Sequence, residues 1–238
     1  MVVGLRQAYL FFAAFLLLQA AFWWYSLDHK PRMEIVPNVP SATAVKAISF
    51  GDSQFFFRVL GLMLQNFGDS WGRYTPLKDY DYPKLGRWFA LLDTLDNQSN
   101  YIPTMAGAYY SQSQNPEDTI YVIRYLQHHA KGRINEKWWW QAQAVYIANH
   151  KLKDKKLALE LALPLVNAKN VPLWVNQLAA FLYEQQGEFD SAAQIIDQIK
   201  NHVQNIPPAE LRFMEYFVKE RLAAFKQIEK QSSTGATR

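Results

Sequence analysis

The stretch Leu178–Ile196, LAAFLYEQQGEFDSAAQII, decides how the rest of the chain is read. Apolar residues recur at helical spacing on both sides of Gly187, and no alternating strand pattern interrupts them. Ala179 and Ala180 before the glycine, and Ala192 after it, are small enough to let two helix backbones approach closely. Gly187 suits the left-handed conformation that ends a helix in a tight turn. Phe189 then plugs the hairpin and Ile196 continues its apolar side. The stretch predicts two antiparallel helices joined by a short turn.

Working outward, helical periodicity dominates everything after residue 43. It predicts helices over 43–67 with a break at Gly51, then 82–96, 101–112, 116–130, 136–150, 153–168, 171–186, 189–204 and 208–229. Asn115 is placed to cap a helix opening at Pro116, with Glu117 and Asp118 facing the positive end of the helix dipole. Pro207 and Pro208 open the last helix, with Glu210 in its first turn. Short connections imply antiparallel neighbours, hence an all-α body. The tail 230–238 is small and polar and is expected to fray.

The hairpin has echoes. Ala158 lies 34 residues before Ala192 and fills the same small-residue slot, and Gly107, Tyr110 and Thr119 repeat the pattern a third time. Thr119 to Ala158 is 39 residues, so that interval is irregular. Over Tyr101–Gln204 these features resemble the tetratricopeptide repeat, a helix–turn–helix unit of about 34 residues. The resemblance implies helical hairpins stacked as a solenoid over 101–229, with the last helix as a cap and with surfaces for protein partners. Upstream, VKAISFGDSQFFFRVLGLMLQNFGD and LLDTLDNQSNYIPTMAG are similar to the start of bacterial membrane-anchored tetratricopeptide proteins. The matching residues are Gly51, Gln65, Phe67, Gly68, Leu95 and Asp96. Asn97 stands where that family usually has proline. Residues 43–100 are accordingly read as a helical segment preceding the repeats.

The front of the chain is different. Ala8–Tyr25 reads AYLFFAAFLLLQAAFWWY, with Gln19 its only strongly polar residue. At about 1.5 Å per residue such a helix spans roughly 27 Å, close to a bilayer's hydrocarbon core. Trp23, Trp24 and Tyr25 form the aromatic belt expected at a membrane interface. The best cleavage site, Ala20–Ala21, is poor, which favours an uncleaved span over a signal peptide. Its terminal position and all-round apolarity argue against a buried soluble helix. We therefore read 1–27 as a transmembrane anchor in the inner membrane. Arg6 precedes the span and Lys30 and Arg32 follow it, so charge alone barely orients it; we place the amino end in the cytoplasm and the soluble domain in the periplasm. Asp28–Ala42 carries Pro31, Pro37 and Pro40 and is expected to form a stiff stalk.

Composition narrows the chemistry. Of 238 residues half are apolar and 19% are charged, which provides for a real core. The chain has no cysteine, which removes disulfides, thiolate metal sites and cysteine nucleophiles. A net charge of +4 does not demand nucleic acid. Lys151, Lys153, Lys155 and Lys156 lack the interleaved aromatics that stack bases and read as a solvated turn. Ser49–Gln54, SFGDSQ, resembles the Gly-Asp-Ser opening of SGNH-type esterases, but no Asp-x-x-His follows and no strand precedes it. GDSWG at Gly68–Gly72 follows a helix, so a glycine-bounded helix stop explains it better than a nucleophile elbow. His128 and His129 are adjacent and diverge on a helix, while His29, His150 and His202 are isolated. The sequence therefore predicts no catalytic residue, cofactor or metal ligand.

One local oddity points to binding. Glu136–Tyr146, EKWWWQAQAVY, sets three tryptophans about 100° apart on a helix. One flat surface cannot cover all three rings. Two are expected in the core and one at a rim or in a groove, where tryptophan anchors partners well. Trp138, Trp139 and Trp140, with Tyr109, Tyr110 and Trp174, are the expected partner-binding residues. The expected role is a membrane-tethered scaffold contacting protein subunits of a membrane complex. A transient assembly factor is the alternative, and a hydrolase using Ser53 a third.

Overall fold

The computed structural model describes residues 4–27, 34–70, 73–203 and 205–227. Its regular elements are helical apart from one ribbon, in which Asp69–Ser70 (β1) pairs antiparallel with Arg73–Tyr74 (β2). The helices are α1 (Leu5–Leu27), α2 (Ala42–Ile48), α3 (Ser53–Gln65), α4 (Tyr82–Leu95), α5 (Tyr101–Thr104), α6 (Thr119–Ala130), α7 (Ile134–Ile147), α8 (Lys155–Ala162), α9 (Leu173–Gln185), α10 (Phe189–His202) and α11 (Pro208–Tyr216). Aspartates start three of them: Asp52, Asp81 and Asp154 accept the backbone N–H of Phe55, Lys84 and Leu157 at 2.8, 2.9 and 2.9 Å.

Three helices widen into π-turns, at Met105–Tyr109 after α5, Ala148–Leu152 after α7 and Phe217–Arg221 after α11. The expected helix over 101–112 is therefore an α-turn, a π-turn and the 3₁₀ turn Tyr110–Gln112 in succession. Asn115 does not cap α6. Pro116–Asp118 forms a 3₁₀ turn instead, and the Asn115 amide donates to the Asp118 carboxylate at 3.2 Å.

Successive helices pack on one another: α3 on α4, α4 on α6, then α6 through α10 each on the next. One continuous core runs from Val36 to Leu222. The α9–α10 hairpin turns at Gly187, whose φ of +78° is open to glycine without strain. The Glu188 N–H returns to the Tyr183 carbonyl at 2.9 Å and closes the turn. Ala179, Ala180, Ala192 and Ile196 are fully buried, as are Ala158 and Thr119. At the end of the series Phe217 meets Phe181 edge-on at 5.6 Å. Beside it Arg221 grips the Glu184 carboxylate with two bonds of 2.6 and 3.0 Å.

The proline-containing segment departs from a free stalk over the part described. Val36 is buried, the Trp88 indole donates to the Pro37 carbonyl at 2.9 Å, and Lys84 pairs with Glu34 at 2.6 Å. Residues 34–40 thus belong to the folded body, because Val36 and the flanking Ile35 and Val39 supply apolar surface that α4 can cover. Residues 28–33, with Pro31, and the expected frayed tail 230–238 lie outside the described residues.

Helix α1 stands apart. Gln7–Leu27 is 21 residues long with mean hydropathy 1.7, and none of it is buried inside the protein. It is long and apolar enough to cross a membrane. Trp23, Trp24 and Tyr25 lie exposed near its carboxyl end.

Candidate functional site

The three tryptophans are set by what precedes them. Lys137 breaks the helical geometry of α7 (φ −108°, ψ 21°), and its buried ammonium donates to the Asn97 carbonyl. Burial pushes the Lys137 pKa down, and Asp93 pulls it part of the way back. This pin fixes the rotation at which the next turn begins. Trp140 points inward, 9% exposed, and its indole donates to the Asn100 side chain at 3.1 Å. Trp138 is half-buried and meets two rings edge-on, Trp139 at 5.7 Å and Trp174 at 5.8 Å. Trp139 remains 46% exposed and Trp174 44%.

Trp139 and Trp174 stand in the wall of a groove between α7 and α9, about 290 Å³ in volume. Tyr146, Leu178, Phe181 and Leu182 supply further apolar lining. Gln143, Asn149, His150 and Gln185 provide its hydrogen-bonding groups. No carboxylate, ammonium or guanidinium lines it.

The expected partner-binding residues therefore divide. Trp138, Trp139 and Trp174 form one cluster, in which Trp139 and Trp174 line this groove and Trp138 packs against both. Tyr109 lies elsewhere, in a second cavity of about 480 Å³ shared with Tyr74, Tyr80 and Tyr101. Tyr110 is 0% exposed and has no surface to offer a partner. Its hydroxyl donates to the Leu64 carbonyl at 2.6 Å, and its own carbonyl accepts from Tyr82 at 2.7 Å. The adjacent rings touch edge-on at 5.0 Å, yet one is half-exposed and the other shut in the core, which the local sequence does not reveal. Trp140 is likewise a core ring.

The structure also joins residues that sequence reasoning left separate. His129 Nδ1 lies 2.5 Å from Asp93 Oδ1, and the Tyr125 hydroxyl donates to the same oxygen at 3.4 Å. Burial, and then the Asp93 charge, push the Tyr125 pKa well up. The imidazole side chain is wholly shut off from solvent, and Nε2 has no hydrogen-bond partner. An aspartate–histidine pair orients a general base only where Nε2 faces a reacting group. This one has no open space before it, and it ties α6 to α4. A faint signal was present: His129 lies in register with Val122 and Leu126 on the apolar side of α6.

Ser53, the nucleophile of the esterase-like reading, is the first residue of α3 and follows helix α2, not a strand. The groups that start α3 are the Asp52 carboxylate and the Phe55 N–H. Trp71 and Gly72 of GDSWG lie outside the described residues, and Gly68 before them ends the helical run with φ +76°. Among the described residues, no group of three His, Asp or Glu side chains converges as a metal site would. Compared with protein-family models, with curated proteins and with solved structures, the chain matches none of them.

Proposed function

We propose that this protein is a membrane-tethered scaffold of tetratricopeptide-like hairpins that holds a protein partner in the α7–α9 groove. The observation that carries the reading is the pair Trp139 and Trp174, half-exposed on a groove lined by no carboxylate, ammonium or guanidinium. Large rings cost free energy in water, and interface anchors are enriched in tryptophan and tyrosine. A charged partner residue would find no counter-charge here and would lose its hydration. The partner therefore presents an uncharged, apolar or aromatic segment, with backbone groups meeting Gln143, Asn149 and Gln185. Affinity comes from anchoring rings.

Helix α1 serves as the tether. We assign it to the inner membrane with its amino end in the cytoplasm, so that the hairpins lie in the periplasm. There the protein acts as a subunit of a membrane complex.

A photo-crosslinking residue at Gln143 in the full chain, in membranes, tests the groove. One dominant adduct with a second protein is expected. It is lost in Trp139→Ala and Trp174→Ala while membrane association and the helical spectrum persist. No adduct, or one indifferent to both substitutions, overturns the reading. Co-migration of the adduct partner with a finished complex marks a subunit; its absence there marks an assembly factor. A topology reporter at the carboxyl end tests the side of the membrane.

A further inference from the structure

Helix α3 is apolar on two sides. Phe57, Leu60 and Leu64 face inward and are buried, at the spacing of one helix face. Phe55, Val59 and Leu62, also at helical spacing, face outward, with Leu62 57% exposed. A surface helix in water carries polar residues on its outer face, whereas α3, after Ser53 at its start, confines its exposed polar groups to a narrow stripe of Gln54, Arg58 and Gln65 beside the apolar one. Among the described residues, nothing covers the outer face of α3.

The turn before α3 enlarges the patch. Phe50 is 96% exposed and Ile48 beside it is also exposed. Phe50 sits at φ +48°, a left-handed conformation that L side chains rarely adopt. Neither water nor backbone preference favours that arrangement, and such strain persists where the surroundings demand it. Exposed Lys46 and Arg58 flank the patch, and neither forms an ion pair among the described residues. The one acid of the hairpin, Asp52, is engaged as the cap of α3.

We infer that the α2–α3 hairpin lies in the bilayer interface, with Phe50, Phe55 and Leu62 dipping below the headgroups and Lys46 and Arg58 meeting anionic lipid. An apolar face bordered by cations is what an interfacial helix presents to lipid. The inference rests on α1 being a membrane tether. Residues 28–33 connect α1 to Glu34, a reach of at most about 25 Å by chain geometry. The folded body is thereby confined beside the bilayer, and its bare apolar hairpin begins at Ala42, shortly after that connection. The hairpin would give the scaffold a second attachment and fix its tilt on the membrane.

The absence of cysteine allows one label per molecule. Environment-sensitive fluorophores are attached at Phe50→Cys, Leu62→Cys, Leu17→Cys and Tyr216→Cys. The full chain is reconstituted at about one molecule per vesicle, in phosphatidylethanolamine with phosphatidylglycerol. Labels at 50 and 62 are expected to shift to the blue, to lose access to aqueous iodide and to be quenched by nitroxide lipids. The label at 17 is expected to behave likewise, and the label at 216 to stay in water. If 17 is lipid-protected while 50 and 62 remain open to iodide, the inference fails and the tether stands. If 17 is open to iodide, the tether fails and the inference with it. Protection at 50 that appears only at several molecules per vesicle identifies a second copy as the cover and overturns the lipid assignment. The outward-facing pair Val59→Glu with Leu62→Glu is expected to abolish protection at 50 without changing the helical spectrum or thermal unfolding. Protection that survives that pair also overturns the inference.

Discussion

The two ends of the continuous core are built on different principles. Around α3, α4 and the turn at Tyr110, large aromatic rings fill space and their polar tips hold irregular backbone. Trp88 binds the Pro37 carbonyl, Tyr82 the Tyr110 carbonyl, Tyr110 the Leu64 carbonyl and Tyr80 the Phe67 carbonyl. Around α7–α10 the buried positions at the crossings are alanines, among them Ala144, Ala158, Ala162, Ala179 and Ala192. There helices meet closely, and two buried amides hold the backbone where α8 ends and the connection to α9 begins: Gln141 donates to the Leu161 carbonyl and Asn176 to those of Leu165, Val166 and Ala168. The difference teaches that polar tips hold backbone carbonyls in both regions, while space is filled by large rings in the first and closed by small residues at the crossings in the second.

That contrast can be broken by substitution. Trp88→Ala should have the largest effect, a loss of about 3–5 kcal/mol from a fully buried ring together with its bond to residue 37. Chemical denaturation measures it, and a loss under about 1 kcal/mol would show that residues 34–40 are not held by α4. Ala192→Leu adds bulk where α9 and α10 touch and should cost about 1–3 kcal/mol by overpacking. A neutral result there would remove the close-approach account of the hairpins.

Tyr110→Phe should cost less, about 1 kcal/mol, because the Leu64 carbonyl keeps the Phe67 N–H at 3.2 Å as a partner. The same region carries a pH signature. Burial first, then the neighbouring Tyr109, push the Tyr80 pKa up from 10.0 to about 12. The folded state therefore holds this proton more tightly than the unfolded chain. Its contribution is complete below pH 10.0 and is lost as the pH rises toward about 12. Denaturation midpoints should fall across that window, less so in Tyr80→Phe; an unchanged pH dependence in the variant would rule Tyr80 out. The smallest effect is expected for Lys226→Met. It removes an exposed pair with Asp190 across the last two hairpin elements, and less than about 1 kcal/mol should be lost.

Much of this architecture was legible. Gly187 between two apolar runs marks a helical hairpin because only the backbone's own preferences are involved. The Ala8–Tyr25 run marks a helix fit to span a membrane for a similar reason: length and apolarity suffice. The segment after α5 was not legible, since the π- and 3₁₀-turns at Met105–Gln112 pack on α6 and are not encoded by periodicity. The candidate groove was half legible. Trp139 and Trp174 carry a recognisable signal as aromatic residues, yet they come together only because α7 and α9 lie side by side. The bare outer face of α3 was hidden by its strength, since an apolar run looks the same whether one side or both are covered.

By itself, then, the sequence determined that helices dominate after residue 42, the Gly187 turn, the absence of thiol chemistry, and one terminal helix able to cross a membrane. Only the tertiary structure decided that Tyr109 lines a cavity while Tyr110 is core, that Trp140 turns in and Trp139 out, that Asp93 meets His129, and that residues 34–40 dock on α4. The reason is range. Backbone conformation follows from neighbours a few residues away, whereas burial follows from surfaces supplied by distant segments, and no local pattern states which of those will arrive.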